Sequence, residues 1–423
     1  MKKKSLTFKI LVAMVLGVLV GLILNPIADQ PIVSDYIVGF GFTLLGSVFI
    51  SLIKMMVVPL VFVSLTLGAA QIGDVKKLGR IGGKTLGFYL FTTAVAITLA
   101  IIVATLVKPG TFMQIAADAN YTFEAKESPA FVNVLINMVP TNPVAAMANG
   151  NMLQIIVFAL LSGTAITILG DRVERIKVIL EQLNEIILKM VMMIMNFAPI
   201  GVFALVGKTM ATFGFDAIGS LAMYMGCVFF TLIIHAIFTY QGLLYATTRL
   251  NPIQFFKNFA PAMAVAFSTS SSNATLPVTI ETAEERLGVN KELASFTLPL
   301  GATINMDGTA IMQGVATVFI AQIYGVDLGI ADFVTVILTA TLASIGTAGV
   351  PGVGLVMLSM VLTQVGLPVE AIGIILGIDR ILDMSRTVVN ITGDAVCTLI
   401  VAKTENEFNE EIYYSENKVI ETV

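Results

Sequence analysis

The amino-acid sequence predicts an all-α polytopic membrane protein with eight transmembrane helices, two re-entrant hairpins and an inverted repeat. The first observation is composition: 57% of the 423 residues are hydrophobic and 12% are charged, whereas soluble domains carry about 25% charged residues. The second is that apolar runs of roughly 20 residues or more, enough to cross a bilayer, recur along the chain. The third is that two further apolar segments are interrupted by Gly, Pro and Ser.

The candidate transmembrane helices are eight apolar runs, and several exceed one bilayer thickness, which predicts tilted or broken helices. The N-terminus, MKKKSLTFKI, begins like a signal peptide. The apolar run behind it is long enough to span and no small-residue cleavage site follows, so we expect a first transmembrane helix that starts in the cytoplasm. The eight runs cover residues 7–25, 39–70, 83–108, 131–169, 178–212, 217–247, 294–324 and 369–402.

Lysine and arginine mark cytoplasmic loops, and their distribution predicts the two hairpins. The loop GDVKKLGRIGGK is basic and is expected inside. Basic residues also flank the interrupted segment 257–280 on both ends, whereas the loops beside the interrupted segment 333–365 lack them. A segment with both flanks on one side enters and leaves by the same face. One hairpin is therefore predicted from each side of the membrane, with both chain termini in the cytoplasm.

The interruptions, AFSTSSSNATLP (266–277) and ASIGTAGVPGVG (343–354), place helix-breaking residues at membrane depth. Non-helical backbone is tolerated there only where it is buried in protein or lines a cavity. Each interruption is followed by a helix that carries Asn and Asp. A hairpin and a helix repeated in opposite orientation are typical of secondary transporters, which bind substrate where the repeats meet. Two Gly-rich packing motifs are the alternative, but they do not explain the carboxylates.

The last helix carries its polar residues at helical spacing. Asp379, Asp383, Arg386, Asn390 and Asp394 follow one another at intervals of four, three, four and four residues. This spacing places them on one face. A charged residue at the centre of a transmembrane helix costs roughly 2.5–3.5 kcal/mol, so the face indicates a functional site. A purely structural Asp–Arg network is the alternative.

The residue types on this face suit an acidic amino acid. Arg386 is a permanent cation that can bind a carboxylate through two parallel hydrogen bonds. Asp383, one turn away, can hold an ammonium, and Asn390 can bind a second carboxylate. Asp307 and Asp394 lie beside amide and carbonyl oxygens, which is the donor set of a hard monovalent cation. We therefore expect Asp307 to face an ion.

Other features of the sequence do not indicate a functional site. The net charge of −4 does not suggest a nucleic-acid partner. Cys227 and Cys397 both lie in apolar runs, so neither a disulfide framework nor a zinc site is expected. His235, flanked by LII and AIF, is expected to be satisfied within its own helix rather than to relay protons. Lys54 is expected to lie at a helix end or to have a partner.

Four motifs resemble the glutamate/aspartate transporter family, the dicarboxylate/amino acid:cation symporters. They appear in the family's order and cover nearly the whole chain. The chain lacks the long extracellular insertion of animal members, so it is most similar to a prokaryotic member. The motifs are STSSSNATLP for the first hairpin, GATINMDGTA for the seventh helix, ASIGTAGVPG for the second hairpin and DMSRTVVNITGD for the eighth helix.

The resemblance implies three sodium sites and one substrate site, with sodium as the coupling ion and no cofactor. The first sodium site would use Tyr89, Thr92, Thr93, Asn305 and Asp307. The second would use Gly301, Asn305, Asn390 and Asp394, and the third backbone oxygens around Thr303, Ser344, Ile345 and Thr347. The substrate contacts would be Ser270, Ser272, Thr309, Val350, Gly354, Asp383, Arg386, Thr387 and Asn390.

The resemblance also implies a homotrimer in the cell membrane, in which a static scaffold holds a mobile transport domain. The scaffold would comprise residues 1–70 and 129–214, and the transport domain residues 75–110 and 215–404. Residues 405–423 would form a solvated cytoplasmic tail.

One departure from the family concerns a second arginine near the pocket. Archaeal members resembling this chain carry it where Ser270 stands, and animal members where Met384 stands. This chain has neither arginine but has Arg380 close to Asp383, so the second basic charge is expected to be repositioned.

The predicted function is sodium-coupled symport of acidic amino acids by an elevator-type alternating-access mechanism, without enzymatic activity. A proton-coupled glutamate or dicarboxylate symporter is the nearest alternative, although the NMDGT motif and Asn390 with Asp394 favour sodium. Arg386 disfavours a neutral amino acid carrier. An intramembrane aspartyl protease would need two membrane aspartates, but Gly393-Asp394 is only half of its usual motif. An anion channel is a further alternative.

Overall fold

The computed structural model describes residues 6–72, 79–111, 136, 139–344, 349 and 352–415. Within these ranges the chain is helical and contains no strand beyond one isolated bridge between Val289 and Phe408. The α-helices are α1 (Leu6–Leu24), α2 (Thr43–Ile72), α3 (Gly79–Val107), α4 (Pro143–Asn149), α5 (Met152–Leu169), α6 (Glu174–Met195), α7 (Ala198–Phe213), α8 (Phe215–Ile234), α9 (Gln241–Thr248), α10 (Pro252–Thr269), α11 (Ser272–Glu285), α12 (Lys291–Ile304), α13 (Asp307–Ile323), α14 (Ile330–Ser344), α15 (Val353–Gln364), α16 (Ile372–Glu405) and α17 (Glu410–Tyr414).

Five stretches in the described part of the chain are long and apolar enough to cross a membrane by length and composition. Together with the shorter apolar helices they confirm the predicted class, an all-α membrane protein. The five stretches are Phe8–Ile27, Ile32–Ala70, Arg80–Val107, Gln154–Met195 and Ala217–Thr248.

Several of the predicted runs are not single regular α-helices. The run 178–212 is interrupted after α6, and Pro199 lies in the first turn of α7, where its missing N–H is tolerated. The run 294–324 breaks at Asn305 and Met306, between α12 and α13. In the run 217–247, a π-helical turn over His235–Tyr240 joins α8 to α9.

The longest helix, α16, lies at the centre of the fold. It has 34 residues, a length of about 51 Å, and it packs against α8, α10, α12 and α13. A second group of helices packs mainly among itself, with α1 along α7 and α2 along α5 and α6. Helices α15 and α16 contact both groups. The polar face of α16 is therefore buried in the middle of the molecule.

Two helix–turn–helix units correspond to the predicted hairpins. In the first, α10 and α11 meet at Ser270, whose φ of 51° reverses the chain. In the second, α14 and α15 flank a segment of which residues 345–348, 350 and 351 lie outside the described residues. Helices α11 and α15 have 14 and 12 residues, or about 21 and 18 Å. Neither helix could cross a hydrocarbon core of about 30 Å by itself, although re-entry into a membrane stays a prediction.

Ion pairs tie distant helix ends together. Lys54 on α2 contacts Glu370 just before α16, with Nζ 2.7 Å from Oε1, which confirms that Lys54 has a partner. At the other end of α16, Glu405 accepts hydrogen bonds from Lys84 and Arg80 on α3. These two cations hold the pKa of the Glu405 carboxyl below its usual value.

The chain after α16 is not the fully solvated tail that was predicted, because residues up to Ser415 pack against the first hairpin. The side chain of Tyr413 is completely buried, and its hydroxyl donates to the carbonyl of Asn251 at 2.9 Å. Asn258 Nδ2 donates to the carbonyls of Tyr413 and Arg286, at 2.9 and 2.8 Å. The prediction was wrong because Tyr413, an aromatic residue that follows the acidic ones, is buried against the first hairpin.

Replacing Tyr413 with alanine is expected to destabilise the protein, since removing a large buried aromatic side chain costs about 3–5 kcal/mol. Thermal unfolding of the purified protein in detergent measures the effect. Tyr414→Ala is the matched control, because the neighbouring side chain is 45% exposed and should matter much less. Equal melting temperatures for the two variants would mean that the packing of Tyr413 contributes little.

Candidate substrate and cation site

Arg386 lies at the centre of the polar face of α16 and is fully buried. Its Nη1 donates to Asp379 Oδ1 at 2.6 Å and its Nη2 to Asp383 Oδ1 at 2.8 Å. Arg380 Nη1 lies 3.4 Å from Asp383 Oδ2. The structure therefore confirms that these charges share one face, and it places Arg380 beside the carboxylate that was expected to hold an ammonium.

Asp379 is a functional candidate that the sequence reasoning placed on the face but gave no role. The signal was its spacing of seven residues from Arg386, two helical turns, which lets the two side chains meet. Breaking a buried ion pair by removing one partner costs about 3–5 kcal/mol. Asp379 and Asp383 together hold the guanidinium in place, and a ligand carboxylate that reaches Arg386 has to share it with them.

A small cavity reaches this group of charges from the side of α1, α6 and α7. Asp379, Arg380 and Asp383 supply its polar wall, and the second hairpin contributes Gly352 and Leu355. The remaining lining is apolar and consists of Ile10, Met195, Ala198, Val202 and Leu376. The cavity volume is about 20 Å³, which is too small for an amino acid, so the cavity marks only where the polar face of α16 meets α1, α6 and α7.

The tips of the two hairpins touch each other. Ser271 Oγ donates to the carbonyl of Gly349 at 2.6 Å, and the backbone N–H of Asn273 donates to the same carbonyl at 3.3 Å. Ser270 is buried, and its hydroxyl has no hydrogen-bond partner among the described residues. An unpartnered buried hydroxyl is costly, which is consistent with its prediction as a ligand contact.

Gly354 lies close to the arginine. A Cβ added to Gly354 would be 3.4 Å from Arg386 Nη2 and 3.3 Å from Thr309 Cγ2. The second hairpin thus passes directly over the guanidinium, and predicted substrate residues from α13, α15 and α16 meet at one place.

Replacing Gly352 with valine is expected to slow aspartate uptake. The second hairpin has a Gly-rich sequence at its tip and is predicted to be the mobile lid over the substrate, so a bulky residue there should impair closure. Gly352 has a φ of +88°, and an added Cβ would lie 2.8 Å from Met195 Cε. A side chain in this left-handed region costs roughly 1–2 kcal/mol. The matched control is Gly366→Val, where φ is +74° but the residue lies at the exposed end of α15. Equal uptake by both variants would place the lid elsewhere.

The predicted cation residues surround the break between α12 and α13. Asn305 Nδ2 donates to the carbonyl of Asn390 at 3.0 Å and to Asp394 Oδ1 at 2.9 Å. Asn390 Oδ1 accepts from the backbone N–H of Gly308 at 2.7 Å. Asn305 Oδ1 is buried, and no donor reaches it within the described part of the chain. A buried carbonyl oxygen without a partner is rare, and a bound cation would satisfy it.

Two glycines create the space in which these groups meet. A Cβ on Gly301 would lie 2.5 Å from both Asp394 Oδ1 and Tyr89 Oη, which real side chains do not tolerate. A Cβ on Gly393 would lie 2.4 Å from Tyr240 Oη. The absence of a side chain at these positions therefore permits the close approach of three helices and the π-helical turn.

Asp307 is bonded on both of its oxygens. Thr93 Oγ1 donates to Oδ1 at 2.5 Å, while Tyr240 Oη donates to Oδ2 at 2.8 Å and His235 Nε2 lies 3.0 Å from the same oxygen. All four side chains are buried. The prediction for His235 was wrong, because its partner lies on another helix. His235 and Tyr240 were missed as site residues since nothing in their apolar surroundings marks them.

The other predicted residues contribute mainly bonds within their own helices. Tyr89 is fully buried, and its hydroxyl lies 3.5 Å from the carbonyl of Thr297. Ile345, Thr347 and Val350 lie outside the described residues. Ser272 is buried, as is Thr309, and the hydroxyls of Thr92, Thr303, Ser344 and Thr387 donate to carbonyls of their own helices.

Three features together are typical of a secondary transporter. They are a buried face of opposite charges, broken helices with unpaired oxygens, and two helical hairpins. The profile of the Sodium:dicarboxylate symporter family matches residues 6–404, and the chain belongs to this family. Its members are transporters and not enzymes, which removes the protease alternative.

Curated relatives cover nearly the whole chain. The Proton/glutamate-aspartate symporter of Escherichia coli is 38% identical, with 97% of this chain and 95% of the relative aligned. The Proton/sodium-glutamate symport protein of Geobacillus stearothermophilus is 35% identical, with 97% of each aligned. The mouse Excitatory amino acid transporter 3 is 33% identical, with 95% and 85% aligned. These matches confirm the family resemblance that the four motifs indicated.

Proposed function

We propose that this protein is a sodium-coupled symporter of acidic amino acids. The observation that carries the proposal is the pairing of Asp383 with Arg386 on one buried helix face, 2.8 Å apart. An acidic amino acid brings one ammonium and two carboxylates. Its ammonium can replace the guanidinium at Asp383, and its side-chain carboxylate can replace Asp383 at Arg386. Ligand binding then exchanges buried ion pairs instead of leaving either charge bare.

Asp383 favours an amino acid over a dicarboxylate that lacks the amino group. A substrate with carboxylates alone would bring another anion beside Asp379 and Asp383, and like charges at close range repel. Arg380, 14% exposed on its side chain, offsets this repulsion only in part. Arg386, in turn, favours an acidic over a neutral amino acid because it is fully buried and requires an anionic partner.

Sodium is supported as the coupling ion by the oxygens around the break between α12 and α13. Asn305 Oδ1 lacks a donor, and Asp394 lies beside it at the second predicted sodium site. Amide, carbonyl and carboxylate oxygens are the ligands of hard cations. The Escherichia coli relative is named for proton alone and the Geobacillus stearothermophilus relative for proton and sodium, so a proton-coupled symporter is the second candidate. The observation that favours it is the imidazole of His235, 3.0 Å from the Asp307 carboxylate, an arrangement that suits a proton relay.

The proposed mechanism is alternating access, in which α3 and α8–α16 move against a scaffold of α1, α2 and α5–α7 in each subunit of a trimer. Lys54 and Glu370 form an ion pair across the boundary between these two groups. The side chains are 40% and 61% exposed, and such surface pairs contribute about 0–1 kcal/mol. The pair can therefore break when the groups slide.

The proposed location is the cell membrane, with both termini in the cytoplasm. The basic residues of the chain start and of the loop before α3 support this orientation, since cytoplasmic loops carry the excess of lysine and arginine.

The experiment that tests the proposal measures aspartate binding and counterflow of radiolabelled aspartate in liposomes, in sodium and in choline buffer at fixed pH. Aspartate is expected to bind far more tightly in sodium and to exchange across the membrane. Succinate, which lacks the amino group, is the matched control and should compete weakly. Tight binding in choline that follows pH would support the proton-coupled candidate, and strong competition by succinate would overturn the role of Asp383.

A further inference from the structure

His235 and Tyr240 form a pair of side chains that converge on one oxygen of Asp307. Tyr240 Oη lies 2.8 Å and His235 Nε2 3.0 Å from Oδ2. The two rings also contact each other edge to face, with centroids 4.5 Å apart. A carboxylate only accepts hydrogen bonds, so Nε2 carries the imidazole proton. His235 Nδ1 is buried and has no partner, so the bond to Asp307 is the one polar contact that the ring makes in the described part of the chain.

The π-helical turn over His235–Tyr240 explains how both side chains reach the same atom. In an α-helix, residues five apart point about 140° away from each other, because each residue turns the chain by about 100°. A π-helical turn bonds residue i to residue i+5 and is wider, so its first and last residues come to one side. Such turns inside α-helices occur frequently at functional sites.

Residues of two neighbouring helices, α16 and α3, accommodate this pair and its carboxylate. Gly393 on α16 leaves room for Tyr240, since a Cβ there would lie 2.4 Å from the tyrosine oxygen. On α3, Thr93 donates to the other oxygen of Asp307. The carboxylate is thus held from two elements, the π-helical turn and α3, and neither of its oxygens can turn without breaking a buried hydrogen bond.

We propose that His235 and Tyr240 are positioning residues for cation coupling. By binding Oδ2 they orient Asp307, so that Oδ1 and the hydroxyl of Thr93 face the cation. The inference rests on the proposed sodium coupling. It assigns the strength of sodium binding to two residues outside the sodium ligand set that the family resemblance implies.

The test uses purified full-length protein and two readouts. The first is the sodium concentration for half-maximal aspartate binding, and the second is the rise in melting temperature with sodium when aspartate is absent. Tyr240→Phe keeps the ring and removes the donor. It is expected to raise the half-maximal sodium concentration about tenfold, because hydrogen bonds to charged groups are the stronger ones. At saturating sodium, aspartate affinity should return to the wild-type value.

A second pair of variants tests the histidine. His235→Leu removes its donor and should shift the sodium requirement in the same direction, whereas His235→Gln keeps an N–H donor and should restore part of the affinity. If His235→Leu does not fold, the comparison of Tyr240→Phe with His235→Gln decides the question. The matched control is Tyr224→Phe, which should leave both readouts unchanged. It removes a buried hydroxyl on α8 for which the described residues supply no hydrogen-bond partner.

The outcomes separate this inference from the proposed function. If aspartate binding by the wild-type protein does not depend on sodium, the proposed coupling is wrong. If aspartate binding by the wild-type protein depends on sodium, but Tyr240→Phe and Tyr224→Phe need the same sodium concentration for half-maximal aspartate binding, the positioning role is overturned. Lower stability without sodium, combined with an unchanged sodium titration, would show that the pair is only structural, and would overturn the proposal as well.

Discussion

Replacing Arg386 with cysteine is expected to abolish aspartate transport, while neutral amino acids still bind. The guanidinium is the fully buried cation on the polar face of α16, and it can offer a substrate carboxylate two hydrogen bonds. Hydrogen bonds to charged groups contribute about 1.5–3 kcal/mol each. Losing two of them removes about 3–6 kcal/mol, a factor of at least about 100 in affinity. Binding of aspartate and of serine to the purified variant measures the change.

The same substitution leaves Asp379 and Asp383 without their partner, so it also threatens the fold. The double variant Arg386→Cys with Asp379→Asn removes one of the two orphaned charges and serves as the control. It is expected to melt at a higher temperature than the single variant and still to fail to bind aspartate. Aspartate affinity at the wild-type level in either variant would rule out Arg386 as the carboxylate receptor.

The second large effect is expected from Asp307→Asn, which keeps the shape of the side chain and removes its charge. A buried carboxylate is stabilised by a cation, so the amide should weaken sodium binding and flatten the sodium dependence of aspartate binding. Coupling between two ligands is reciprocal and typically changes affinity about 5–150-fold. In the variant, sodium should therefore raise the affinity for aspartate much less than it does in the wild-type protein. Aspartate titrations at several sodium concentrations measure it.

Asp332→Asn is the control for Asp307→Asn, since Asp332 lies in the first turn of α14 and accepts from the backbone N–H of Gly329. This variant should keep the wild-type sodium dependence. If both variants respond to sodium like the wild-type protein, Asp307 does not bind the coupling ion and its three hydrogen bonds are its whole role. If Asp307→Asn instead removes a pH dependence, the proton-coupled candidate gains support.

The amino-acid sequence by itself determined the features that depend on local spacing and composition. Apolar runs of membrane length predicted the fold class, because the energetic cost of polar groups in hydrocarbon acts on each segment separately. The spacing of Asp379, Asp383 and Arg386 predicted their shared face, since helical periodicity needs only a few consecutive turns.

Contacts between distant segments were decided only by the tertiary structure. Asp307 meets His235 from 72 residues away and Thr93 from 214 residues away, and no local pattern connects them. The convergence of His235 and Tyr240 needs a π-helical turn, whereas the apolar run predicts a regular helix. Tyr413 is buried because it packs against the first hairpin, where its hydroxyl donates to the carbonyl of Asn251. In each case the side chain finds its partner only after helices far apart in the chain have packed together, so packing rather than sequence spacing decides which atoms meet.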